Sequence, residues 1–191
     1  KIKNENIPEV AVAPHILLKT KDFQGLDINK YWKVLKKELK TKTIIAKPRN
    51  DGCSAGVVRL YNAKDLDTYI TLIKNRTLVV QPNTFTNQTN SIHMPEVLSD
   101  IIFESFIETD KLKTSGGKIT HLRKSGFVEM TVGVLEDKGK IKALSPSITV
   151  AEQSILSVEE KFQGGTGVNI TPPPKEIISL KNIEKVQNSV E

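Results

Sequence analysis

Apolar positions along the chain recur with a period of two in some stretches and near 3.6 in others, which predicts mixed α and β structure. Residues 10–18 read as an extended lead-in. From Ile28 to Leu39, Tyr31, Trp32, Leu35 and Leu39 form a helical stripe whose outer face is rich in lysine. Residues 43–48 form a buried-strand run ended by Pro48, and Val57 opens a second run through Leu60. Between them, Asn50-Asp51-Gly52-Cys53-Ser54-Ala55-Gly56 is a loop bounded by glycines, so the whole reads as a hairpin. Asn62 is placed to cap a helix over 63–75 with Leu66, Tyr69, Ile70 and Ile73 on one side.

The character changes after Val80. Residues 81–95 are polar and read as a long connection, followed by a strand over 101–107. Residues 109–125 are again polar and contain Gly116-Gly117, so 81–98 and 109–125 are read as insertions. A strand is expected over 127–135, then a turn at 136–140 and another strand from Ile141. A second glycine-rich loop covers 159–167, and Thr171-Pro172-Pro173-Pro174 leads into a helix expected over 175–188. That helix would bury Ile177, Leu180, Ile183 and Val186.

Composition narrows the field. The 191 residues are 38% hydrophobic and 26% charged, with 9 Pro and 11 Gly, a globular balance. No apolar run reaches the ~18 residues needed to span a bilayer, and no apolar h-region follows Lys1-Ile2-Lys3-Asn4. The expectation is therefore no signal peptide, no membrane partner and a cytoplasmic location, or an organelle if a transit peptide lies upstream. Cys53 is the only cysteine, and His15, His93 and His121 are widely spaced, which excludes a disulfide framework and disfavours a zinc enzyme. The net charge is +6, but lysine supplies 24 of the 28 basic residues. Arginine, suited to bidentate recognition of phosphates and bases, is scarce, so nucleic acid is not expected as a partner.

Several side chains carry candidate chemistry. Lys47 shares a strand face with Ile45, so its stem can be buried and its ammonium free. The loop at 51–56 is built of small residues that let backbone N–H groups approach an anion. No Lys-Ser/Thr follows Gly56, so this is not a Walker A loop. Glu104 and Glu129 each project from the less apolar side of an expected strand, where a carboxylate accepts hydrogen bonds from a base amine or ribose hydroxyls. Lys161 supplies a second cation in the later glycine loop. Taken singly, each has a plain structural reading as a snorkelling lysine, a hairpin loop, a solvated edge charge or a loop lysine.

Their order resembles the ATP-grasp fold, most closely the D-alanine–D-alanine ligase family. The resembling residues are Lys47-Pro48-Arg49-Asn50-Asp51-Gly52-Cys53-Ser54-Ala55-Gly56-Val57, Phe103-Glu104-Ser105-Phe106-Ile107, Glu129-Met130-Thr131-Val132-Gly133-Val134-Leu135 and Glu159-Glu160-Lys161-Phe162-Gln163-Gly164-Gly165. The resemblance implies an α+β, ATP-grasp architecture of two small lobes with a nucleotide cleft between antiparallel sheets, here truncated. Residues 1–100 would be the central subdomain, and 101–191 the hinge with a partial C-terminal subdomain.

The same resemblance assigns roles. Lys47 would contact the α and β phosphates, with Gly52, Cys53, Ser54 and Gly56 closing over the triphosphate. The hinge at 104–107, including Glu104, Phe106 and Ile107, would read adenine, and Glu129 would bind the ribose. Lys161 would reach the γ-phosphate and, with Ser54, take the catalytic part. In the family a carboxylate is phosphorylated by ATP and an amine attacks the acyl phosphate. The implied cofactors are ATP and Mg²⁺. The implied substrate is an amino acid, with D-alanine as one candidate, and a homodimer would form through an amino-terminal lobe.

Two positions depart from the family pattern. The loop reads Gly52-Cys53-Ser54 where Gly-Ser-Ser is usual, and the later loop reads Lys161-Phe162 where Lys-Tyr is usual. A thiol is a weak donor and phenylalanine has no hydroxyl, so the latch over substrate would be rebuilt. The family's magnesium ligands would fall beyond Glu191, and the expectation for these residues by themselves is nucleotide binding without turnover, with no metal ligand among them. The rival reading is a non-catalytic nucleotide-binding or interaction module that kept the ATP-grasp fold.

Overall fold

A computed structural model describes residues 10–50, 52–97, 100–115, 118–150 and 168–190. Asp51 and the loop at 159–167, with Lys161 and Phe162, lie outside the described residues. The chain forms two compact units, one over Ala13–Ile107 and one from Glu108 onward that also takes in residues 10–12.

The first unit contains strands β1 (His15–Leu18), β2 (Ile44–Pro48) and β3 (Val58–Leu60), and helices α1 (Ile28–Leu39) and α2 (Ala63–Lys74). It continues with the short strands β4 (Val79–Val80) and β5 (Ile92–His93) and ends on β6 (Ile101–Ser105). Four strands form one antiparallel sheet in the order β1-β6-β2-β3. Because β6 lies between β1 and β2, the sheet is completed only by residues 101–105, beyond the division at 100/101 expected from the sequence.

Local chemistry explains the elements. Asp27 caps α1 by accepting the Lys30 N–H at 3.0 Å, and Lys40 ends the helix in the left-handed conformation with its N–H on the Lys36 carbonyl. Asn62 caps α2 by accepting the Asp65 N–H at 2.9 Å. Alternation along β2 buries Ile44, Ala46 and Pro48 and turns Ile45 and Lys47 to the opposite face. The buried side packs with Leu35, Leu39, Leu66, Tyr69, Ile70 and Phe103 into the main core, so both helices cover one face of the sheet.

Residues 81–95 are more than a connection. β4 and β5 pair antiparallel, and Phe85 and Met94 enter the main core. The polar composition concealed this because two apolar anchors suffice to hold the excursion down, while Thr86 bonds to the buried Asp65.

The second unit contains β7 (Lys111–Ser115), β8 (Lys118–Leu122), β9 (Met130–Thr131), β10 (Val134–Asp137), β11 (Lys140–Ala143), β12 (Ser147–Val150), β13 (Val168–Ile170) and α3 (Leu180–Val190). Residues 109–125, expected as a polar insertion, carry the antiparallel β7–β8 hairpin. Its pattern hides the strands because Lys111, Lys113, Lys118 and Thr120 face solvent while Leu112 supplies the packing.

The single strand expected over 127–135 is two. β9 pairs with β12 in the β13-β12-β9 sheet, whereas β10 pairs with β11. The break falls at Val132-Gly133, where the Gly133 carbonyl accepts the Leu144 N–H at 2.8 Å. Glu129 therefore precedes β9 in a loop, exposed, rather than projecting from a strand.

The last helix starts five residues later than the expected 175. A separate turn carries the Ile177 and Ile178 N–H groups on the Pro174 carbonyl, and Ser179 then opens α3. Ile178 and Ile183 are the buried residues, with Ile177 packed beside them, and Leu180 is exposed instead of joining the stripe. They join Ile148, Met130 and Ile170 in the smaller core. Among the described residues no helix is long and apolar enough to cross a membrane.

Candidate functional site

The face of the first sheet opposite the helices carries the candidate side chains. In register, Ile45 is flanked by Arg59 on β3 and Glu104 on β6, and Lys47 lies opposite Ile102. All of these alternate with buried residues, so they point away from the helices. Lys47 and Glu104 are diagonal neighbours, and the Lys47 Nζ reaches the Glu104 Oε2 at 2.7 Å. The carboxylate expected to meet a base or a ribose thus holds the ammonium expected to meet phosphate.

The glycine loop begins where β2 ends. The Ala55 N–H donates to the Gly52 carbonyl at 2.9 Å across a turn in which Cys53 and Ser54 both have positive φ, +52° and +61°. That geometry is a primed turn, which suits a tight hairpin but is strained for residues other than glycine. Cys53 is exposed. Gly56 is clamped from both sides: its N–H donates to the His93 carbonyl at 2.7 Å and its carbonyl accepts the Tyr69 hydroxyl at 2.8 Å. Burial raises the Tyr69 phenol pKa far above its usual value, so it stays a donor. The Val57 N–H closes on Ser54. The amides of Ala55, Gly56 and Val57 therefore serve the shape of the loop.

Gly56 has a φ of +65°, and a Cβ there would meet Pro48 Cγ at 2.8 Å and Pro95 Cδ at 3.1 Å. Gly56→Ala is expected to cost about 2–3 kcal/mol of stability in the first unit. Gly52→Ala, whose methyl would meet nothing within 4 Å, is expected to change little. Urea unfolding followed by Trp32 fluorescence compares the two, and equal midpoints would contradict the steric account.

The end of β6 is tethered to the same face. The Phe106 N–H donates to the Thr43 carbonyl at 3.2 Å, and the ring of Phe106 lies 3.5 Å from the Arg59 guanidinium carbon. Arg59 Nε donates to Thr43 Oγ1 at 3.0 Å and the guanidinium also lies 5.0 Å from the Tyr61 ring. Arg59, Thr43 and Tyr61 were not singled out from the sequence. The alternation Val58-Arg59-Leu60 was the available signal, since it places Arg59 on the Lys47 side.

Lys47, Glu104, Phe106, Ile107 and residues 52–56 of the loop all belong to the first unit. Ile107 is half exposed at its end. Glu129 belongs to the second unit. The other proposed cation, Lys161, lies outside the described residues.

The donor set is split along the sheet: Lys47 and the small-residue turn lie toward one end, and Glu104 with the backbone after it toward the other, since Pro48 pairs with Ile101 and Ile45 with Glu104. It does not suit Mg²⁺, because no group of three His, Cys, Asp or Glu side chains among the described residues is arranged to hold a metal ion.

In sequence, neither a family model nor a curated protein matches the chain. In structure, it is similar to D-alanyl-alanine synthetase A from Vibrio cholerae O1 biovar eltor, with a TM-score of 0.56 at 12% identity. The similarity covers 95% of this chain and 41% of that one, so the chain spans less than half the length of the synthetase. The fold is accordingly mixed α+β with antiparallel sheets, similar to part of the synthetase.

Proposed function

We propose that the chain is the nucleotide-binding part of an ATP-dependent carboxylate–amine ligase of the D-alanine–D-alanine type. The observation that carries this reading is the Lys47–Glu104 pair on the face of the sheet opposite the helices, with Lys47 toward the strand end where the glycine loop begins and Glu104 beside Ile45 toward the other end. Similarity of fold to a D-alanyl-alanine synthetase supports the choice of a ligase. When bound, ATP supplies the phosphoryl group that activates a carboxylate for attack by an amine.

The residues divide the work by charge. Lys47 neutralises the α and β phosphates, and Glu104 keeps its ammonium aimed over the sheet before nucleotide arrives. The turn at 52–56, fixed at Gly56 by Tyr69 and His93, lies over the phosphates, with Ser54 its hydroxyl-bearing member. The resemblance gives adenine to backbone groups around Phe106 and Ile107, the ribose hydroxyls to Glu129 and the γ-phosphate to Lys161. Cys53 and Phe162 take the places of hydroxyl-bearing residues, so the substrate amino acid need not be D-alanine. The Mg²⁺ that such chemistry uses would be held by residues other than those described, and no role here passes through it.

Calorimetric titration with ATP and Mg²⁺ tests the reading. The parent chain is expected to bind, and Lys47→Ala to weaken binding by about 10- to 100-fold, the range for losing one charge-assisted phosphate contact while leaving Glu104 unpaired. Equal heats for parent and variant would remove the phosphate role of Lys47.

A further inference from the structure

We propose that Arg59 is a positioning residue for the base end of this site, acting by holding the Phe106 ring and, through it, the backbone at 104–107. The inference rests on the nucleotide reading and adds to it a residue with no assigned part. Three observations converge. The Arg59 guanidinium carbon stands 3.5 Å from the Phe106 ring centroid, a close cation–π contact. Thr43 links the same two residues, since its hydroxyl accepts from Arg59 Nε at 3.0 Å and its carbonyl accepts the Phe106 N–H at 3.2 Å. Arg59 and Glu104 also flank Ile45 from opposite sides in the register of the sheet, which puts the clamp on the Lys47 face.

The chain leaves regular structure after Ser105, and beyond the strand the Phe106 backbone is held through its N–H donating to the Thr43 carbonyl. The ring contact adds a further constraint. A planar guanidinium does this better than an ammonium, because it stacks on the ring while its Nε still donates sideways to Thr43. Tyr61, 5.0 Å from the same guanidinium, limits its swing.

The test separates base from phosphate. Dissociation constants for ATP and for inorganic tripolyphosphate are measured on the 191-residue chain, on Arg59→Ala, Arg59→Lys and Phe106→Leu, and on the double variant. Arg59→Ala is expected to weaken ATP by about tenfold, within the range of a partly desolvated cation–π contact, while tripolyphosphate binding stays at the parent value. Arg59→Lys should recover part of the loss, and adding Phe106→Leu to Arg59→Ala should cost little more than either alone. Three results would overturn the proposal: ATP binding unchanged in Arg59→Ala, tripolyphosphate weakened as much as ATP, or fully additive losses in the double variant. Should Arg59→Ala not fold, the Arg59→Lys and Phe106→Leu pair carries the same comparison. A parent chain that binds tripolyphosphate but not ATP would overturn the base-end role while leaving Lys47 its anion. A parent that binds neither would remove the nucleotide reading itself.

Discussion

Asp65→Ala is expected to destabilise the first unit by about 3–5 kcal/mol, the range for removing a buried, fully engaged carboxylate. Asp65 is 4% exposed in the first turn of α2. Its Oδ2 accepts the Tyr61 N–H at 2.8 Å, and its Oδ1 accepts both the N–H and the hydroxyl of Thr86, at 3.1 and 3.0 Å. One side chain thus ties the end of β3, the start of α2 and the excursion between β4 and β5. Alanine leaves three donors without that acceptor, and each lost bond to a charged group contributes on the order of 1.5–3 kcal/mol. The consequence reaches the candidate site, because α2 carries Tyr69 and β5 carries His93, the two residues that clamp Gly56. Trp32, the single tryptophan, packs against the main core and reports this unit in a urea titration. A midpoint within experimental error of the parent would refute the pinning role. Thr86→Val, which removes the hydroxyl's bond to Asp65 and the one it accepts from Asn62 Nδ2, is expected to cost about 1.5–3 kcal/mol.

The second large effect is a dependence on pH. Asp110 is buried in the second unit, and its Oδ1 accepts the N–H groups of Lys124, Ser125 and Gly126 at 2.7, 2.9 and 2.9 Å. His121 Nε2 lies 2.8 Å from its Oδ2. These bonds, the Lys124 amide foremost, hold the carboxyl well below the usual carboxylate range. A carboxyl whose folded pKa is depressed contributes stability that is fully present above its unfolded value of about 3.9. That contribution is lost as pH falls below the unfolded value and toward the folded one. The parent should therefore lose stability progressively below about pH 4, and Asp110→Asn should be less stable at neutral pH with a flatter acid limb. Amide exchange at residues 124–126, measured from pH 7 downward, reads the right unit. Parallel acid limbs in parent and variant would show that Asp110 is not the titrating anchor.

What could be read ahead of the structure follows a physical rule. α1 begins and ends where the apolar stripe places it, and the Asn62 cap, the β2–β3 hairpin and the position of Lys47 on the Ile45 face were equally legible. Each depends on residues a few positions apart. The β7–β8 hairpin was missed because lysine and threonine occupy its outward positions, so the composition resembled a loop. The stretch 127–135 was misread because it holds both β9 and the start of β10, and only the choice of partner, β12 for one and β11 for the other, breaks it at Gly133.

The sequence alone determined which residue types were available for the site and which faces of β2, β3 and β6 they occupy, since a strand alternates whatever it pairs with. Tertiary structure decided that Glu104 holds Lys47, that Arg59 meets Phe106 and that Asp65 anchors Thr86. Those contacts exist because β6 inserts between β1 and β2 and because an excursion folds back onto α2. Both are choices made by burying apolar surface at long range, which no local pattern encodes.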